Sequence, residues 1–128
     1  MVVIDERTEA VSRQVVDAGI KVHRALGPGL LESVYEHCLA RELSKRGFAA
    51  ERQLSLPVVY DGEQIEAGYR IDLKVDGRVI VEVKAVERLL PIHEAQLLTY
   101  LRLSGLHLGL LMNFNSVLLK DGLKRMLT

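Results

Sequence analysis

The stretch RIDLKVDGRVIVEVK, residues 70–84, decides how this chain folds. Ile71, Leu73 and Val75, then Val79, Val81 and Val83, alternate with Asp72 and Lys74, then Ile80, Glu82 and Lys84. Period-two alternation on both sides of Asp76-Gly77 predicts a β-hairpin with its odd positions on an apolar face. A two-residue turn at Asp76-Gly77 would set Asp72 opposite Val81 and place a carboxylate on that face. A three-residue loop, Val75-Asp76-Gly77, with Gly77 left-handed at a bulge, sorts both strands cleanly. Asp72, Glu82 and Lys84 are then expected on one shared face.

Upstream, apolar residues recur every three or four positions as Val11, Val15, Ala18, Val22 and Leu26, which predicts an amphipathic helix from about Thr8 that ends at Gly27-Pro28-Gly29. Leu31, Val34, Tyr35, Cys38, Leu39 and Leu43 predict a second helix, closed by Gly47. Leu54, Leu56, Val58 and Tyr60 read as one strand, turned by Asp61-Gly62, and residues 65–75 as the next. Downstream, Pro91 suits the first turn of a helix carrying Ile92, Ala95, Leu98, Leu101 and Leu103 until Gly105. Residues 107–113 predict a buried strand, residues 117–119 a short strand and residues 122–127 a helical turn. The order of helices and strands predicts an α/β fold, a mixed central sheet flanked by helices.

With 128 residues, the chain is expected to form one domain over residues 1–128, with a core that needs no disulfide. Cys38 has no partner thiol, and no secretory signal is visible, so a reducing cytoplasmic setting is expected. No apolar run approaches the ~20 residues of a membrane span. The 17 Lys and Arg balance 17 Asp and Glu. Bulk electrostatic attraction to a polyanion is thereby excluded, and such a partner would need a local site.

Two carboxylates beside a lysine repel each other unless a cation neutralises them, and a hard divalent ion such as Mg²⁺ or Mn²⁺ takes oxygen ligands. Such an ion polarises a phosphoryl oxygen and activates water, chemistry suited to phosphodiester hydrolysis. Glu-x-Lys is also a common pattern on solvated hairpins, and on this motif alone a solvated face is the better reading.

The wider chain changes the balance. Asp72, followed after nine residues by Glu82-Val83-Lys84 within this order of elements, resembles the PD-(D/E)XK nuclease superfamily. Gly29-Leu30-Leu31-Glu32-Ser33-Val34-Tyr35 resembles the signature of the GxxExxY protein family. The likeness runs from the first helix to Asn113-Phe114 and Gly122-Leu123-Lys124-Arg125. It implies a restriction-endonuclease-like core of a helix, a three-strand meander, a helix and a strand. It also implies a Mg²⁺ or Mn²⁺ site held by Asp72 and Glu82, with the Val83 carbonyl and Glu32 as further ligands and Lys84 as the catalytic lysine. Gln96 and Tyr100 match a Gln-x-x-x-Tyr pattern and share a helix face. Ile71 stands where the superfamily's name has proline, a position that is loose among its members.

Each residue also has an ordinary structural reading. Glu32 suits the first turn of a helix through the macrodipole. Tyr35 reads as a core tyrosine with a bonded hydroxyl, and Cys38 as a buried, inert thiol. His23 and His93 lack partners at metal-ligand spacing. Arg52, Arg70, Lys74, Arg88 and Arg102 are the bases nearest the site in sequence. The resemblance favours DNA as the nucleic-acid substrate. A non-catalytic nucleic-acid- or protein-binding module on the same fold is the alternative, and a homodimer or a protein partner would supply specificity that so small a chain lacks.

Overall fold

The computed structural model describes residues 3–128. Helices α1 (Glu6–Leu26) and α2 (Glu32–Lys45) open the chain. Asp5 caps α1, its carboxylate accepting the Thr8 N–H at 2.7 Å. Strands β1 (Ala50–Ser55), β2 (Val58–Tyr60), β3 (Glu63–Ile65), β4 (Arg70–Val75) and β5 (Val79–Lys84) follow, then α3 (Pro91–Ser104), β6 (Leu108–Asn113) and β7 (Leu123–Leu127). The main sheet runs β1-β4-β5-β6-β7, and β2 pairs only with β3. β5 and β6 are parallel, joined through α3, and every other pairing is antiparallel. This is the mixed sheet flanked by helices that the order of elements predicts, and it is consistent with a restriction-endonuclease-like fold.

The sheet carries a core on each face. On one, Val11, Val15 and Ala18 of α1 and Tyr35, Leu39 and Leu43 of α2 cover Leu73, Val75, Val79, Val81 and Val83. On the other, Leu97, Tyr100 and Leu101 of α3 cover Ile71, Ile80 and Leu111. The alternation along β5 therefore serves two apolar layers as well as one acid, because both faces of a central strand are buried. β6 is approached closely from both sides. A Cβ at Gly19 of α1 would lie 2.2 Å from the Met112 Cε, and one at Gly109 would lie 2.8 Å from the Leu97 Cδ1.

Four sequence expectations are corrected. The run expected as one strand through Tyr60 bends at Leu56-Pro57, where proline has no N–H for a ladder, and its second half forms an exposed hairpin across Asp61-Gly62. The run expected as one strand over residues 65–75 is broken at residues 66–69. Residues 117–119 form no strand but lead into a 3₁₀ turn, and the helical turn expected over residues 122–127 is instead β7. All six residues of β6 are buried, and β7 pairs its outer edge. Satisfying those backbone groups outweighs the local helical preference of Lys124, Arg125, Met126 and Leu127.

Candidate active site

The β4–β5 hairpin pairs Val75 with Val79, Lys74 with Ile80 and Leu73 with Val81. Its loop has three residues, as expected, but they are Asp76, Gly77 and Arg78, one position later than the sequence pattern places them. Asp76 and Gly77 are both left-handed, with φ of 51° and 64°. Asp76 is held there by its carboxylate, which accepts the Ala49 N–H and pairs with Arg7 at 2.7 Å.

Continuing this register would set Asp72 opposite Glu82, but the ladder stops at Leu73 and Val81. Carboxylates replace it. The Asp72 N–H donates to Glu82 Oε2 at 3.1 Å, and the Val83 N–H donates to Asp72 Oδ2 at 2.9 Å. Within a strand the N–H and C=O of one residue point the same way, so the Val83 carbonyl faces this gap too. Ile71 packs in the α3-side core, while Leu73 and Val75 lie on the other side. The single apolar face expected for the odd positions of β4 therefore ends at Asp72.

Glu82 is 4% exposed. Burial, with the Asp72 charge second, pushes its pKa up to about 9, and the Lys84 charge counters only part of this. Lys84 follows on the same strand, half-buried. A carboxyl kept protonated by burial, with the neighbouring Asp72 charge second, forms an oxygen site short of positive charge. The donor set of two carboxylates and a backbone carbonyl fits a hard divalent cation.

Gln96 and Tyr100 border the same site from α3. The Gln96 Nε2 donates to the Tyr100 hydroxyl at 3.0 Å. Burial raises the pKa of Tyr100, and the Glu82 and Asp72 charges raise it further; its ring packs in the same cluster as Ile71, the neighbour of Asp72. Tyr69, in the segment leading into β4, tilts against Tyr100 with centroids 6.3 Å apart.

Glu32 arrives from the first turn of α2, where it is exposed and accepts the Ala85 N–H at 3.0 Å, one residue past Lys84. The structure brings it to the end of β5 but not into a cluster with Asp72 and Glu82. Among the described residues no three His, Cys, Asp or Glu side chains converge as a metal-binding group. One turn further along α2, Glu36 is buried and receives the Arg52 Nε and Nη2 at 3.0 and 2.8 Å. Gln53 donates from its amide both to Glu36 Oε1 and, at 3.2 Å, to Asp72 Oδ1. Sequence reasoning passed over Glu36 and Gln53. The i, i+4 spacing of Glu32 and Glu36 was a usable signal. Gln53 left none.

The remaining candidates have structural partners. Tyr35 is fully buried, stacks on Phe114 at 4.7 Å, donates its hydroxyl to the Gly27 carbonyl at 2.6 Å and accepts the Leu30 N–H. It thereby latches the turn between α1 and α2. His23 bonds the Ser116 carbonyl, and His93 accepts the Leu90 N–H at the start of α3. Cys38 is only half-buried, beside the core. Asn113 is buried and bonds both backbone groups of Val86, pinning the segment that follows Lys84. Of the nearby bases, Arg52 is committed to Glu36, and Arg102 bonds Thr99 on its own helix.

The family model for the PD-(D/E)XK nuclease superfamily matches residues 9–126. The chain belongs to that superfamily. The match to the PD-(D/E)XK superfamily runs from within α1 to within β7 and includes every residue of the split hairpin. Neither the curated proteins nor the solved structures compared with the chain include a match. Among the described residues no helix is long and apolar enough to cross a membrane.

Proposed function

We propose that the protein is a divalent-metal-dependent nuclease that hydrolyses phosphodiester bonds, with DNA as its substrate. The observation that carries this reading is the replacement of ladder hydrogen bonds by the Asp72 and Glu82 carboxylates in a PD-(D/E)XK chain. The two carboxylates and the Val83 carbonyl would hold Mg²⁺ or Mn²⁺. When bound, that ion supplies positive charge to a phosphoryl oxygen and to the attacking water.

The chain's own residues do the rest. Asp72 is fixed through one oxygen by the Val83 N–H. The buried Glu82, protonated through burial and the neighbouring acid, would hold a cation as its carboxylate. Lys84 offers an ammonium to orient the attacking water or to meet charge developing on the phosphate. Tyr100, with Gln96 on its hydroxyl, closes the α3 side and would position substrate. Glu32 holds the backbone beyond Lys84 in place from α2.

Placement in the GxxExxY family belongs to the same proposal. Gly29 has φ of 101° in the α1–α2 turn, Glu32 reaches Ala85, and Tyr35 latches that turn, so each named position of the motif has a distinct task.

The test is cleavage of single- and double-stranded DNA and RNA with Mg²⁺ or Mn²⁺, beside Glu82→Ala and Lys84→Ala. DNA cleavage by the natural sequence and its loss in both variants are expected. Activity that survives both substitutions overturns the proposal. A chain that binds nucleic acid but neither Mn²⁺ by calorimetry nor cleaves is the non-catalytic module instead.

A further inference from the structure

The described chain has three non-glycine residues at positive φ: Asp61, Asp76 and Gln53, each at 51°. Two of these need no further account, since Asp61 and Asp76 sit in hairpin turns beside glycines, and aspartate tolerates this conformation. Gln53 differs on both counts. It lies inside β1, with Arg52 paired to Leu73 and Leu54 paired to Ile71 on either side, and its own position drops out of the ladder opposite Asp72. A long, unbranched polar residue held left-handed inside a strand is strained, and such strain persists only where the surroundings impose it.

What the strained backbone achieves is a bridge. One amide nitrogen donates to Glu36 Oε1 on α2 and to Asp72 Oδ1 on β4. Glu36 is anchored in turn by Arg52 through its other oxygen. Asp72 Oδ2 is already occupied by the Val83 N–H. With Gln53 on Oδ1, both oxygens of Asp72 have a fixed donor, and the carboxylate cannot rotate freely.

We propose that Gln53 is a positioning residue for the metal site: its strained backbone aims an amide that ties Asp72 to the Arg52–Glu36 ion pair and sets the orientation in which Asp72 meets a divalent cation. This rests on the assignment of Asp72 and Glu82 as ligands. Hydrogen-bond partners of ligating carboxylates commonly control affinity by about 10–100-fold. Gln53 is such a partner, and a glycine here would relieve the backbone while removing the amide.

The experiment measures Mn²⁺ affinity by calorimetry and melting temperature in EDTA for the natural sequence, Gln53→Ala, Gln53→Gly and Glu82→Ala. Both Gln53 variants are expected to bind Mn²⁺ at least about tenfold more weakly, and to similar extents. The glycine variant is expected to melt about 3–6 °C above the alanine variant, because only alanine retains the strain. Wild-type affinity in Gln53→Gly overturns the proposal, as does affinity that merely follows melting temperature. If alanine prevents folding, the glycine variant decides alone. If the natural sequence does not bind Mn²⁺, or Glu82→Ala binds it equally well, the ligand assignment itself fails and the role of Gln53 with it. Normal Glu82-dependent binding with unaffected Gln53 variants removes Gln53 alone.

Discussion

The two ends of the β4–β5 hairpin are made from the same two strands and differ in what joins them. At the closed end Leu73, Val75, Val79 and Val81 are fully buried, and the backbone ladder is complete. At the open end the ladder stops, two carboxylates take its hydrogen bonds, and one of them carries a pKa near 9. The closed end stabilises the fold. The open end works against stability, since burying a carboxyl beside another acid penalises its charged form. The lesson is that the site is an interruption of the sheet, held in place by the regular pairing next to it.

That contrast breaks if a change at the open end harms folding more than catalysis. Glu82→Gln keeps the shape but cannot ionise to a carboxylate ligand, so cleavage is expected to fall by about 10³-fold or more, worth ~4 kcal/mol of barrier. Its melting temperature in EDTA should not fall. A variant that melts lower but cleaves normally would erase the distinction between the two ends.

The mirror-image change at the closed end is Leu73→Ala. It removes a fully buried side chain and is expected to destabilise the protein by about 2–4 kcal/mol in urea unfolding. Cleavage per folded molecule should change by only a few-fold. A collapse of activity in molecules shown to be folded would mean that the two ends are coupled more tightly than their separate bonding suggests.

A finer measurement sharpens the contrast through pH. Glu82 keeps its proton in the folded chain up to about 9, whereas in the unfolded chain it titrates near its ordinary value of 4.5. Between these values the native state binds more protons, so this group makes metal-free stability decline as pH rises. Unfolding in EDTA from pH 5 to pH 9 should show that decline in the natural sequence and a flatter profile in Glu82→Gln. Equal slopes would place the titration elsewhere.

How much of this was legible in the sequence follows from which forces are local. The α1 and α2 stripes and the hairpin alternation are periodic and could be read directly, because each residue's face depends on its neighbours along the chain. The juxtaposition of Asp72 and Glu82 was legible as parity, and the loop's position was missed by one residue because Asp76 is left-handed on account of Ala49 and Arg7, both far away in sequence. β7 was missed for a similar reason, its conformation being imposed by the open edge of β6. Of the candidate site, positions could be read but partners could not. Nothing near Gln53 announces a left-handed strand residue, and Glu36, though spaced i, i+4 from Glu32, meets its partner Arg52 only when α2 is packed against β1.

The close approach of Gly19 to Met112 and of Gly109 to Leu97 has a mechanical consequence. The strand between these contacts has a helix close on each face, with Leu97 tight against Gly109 and the end of Met112 filling the space at Gly19, so β6, and β5 hydrogen-bonded along it, are held in place from both sides. The exposed β2–β3 hairpin is the portion left outside the grip.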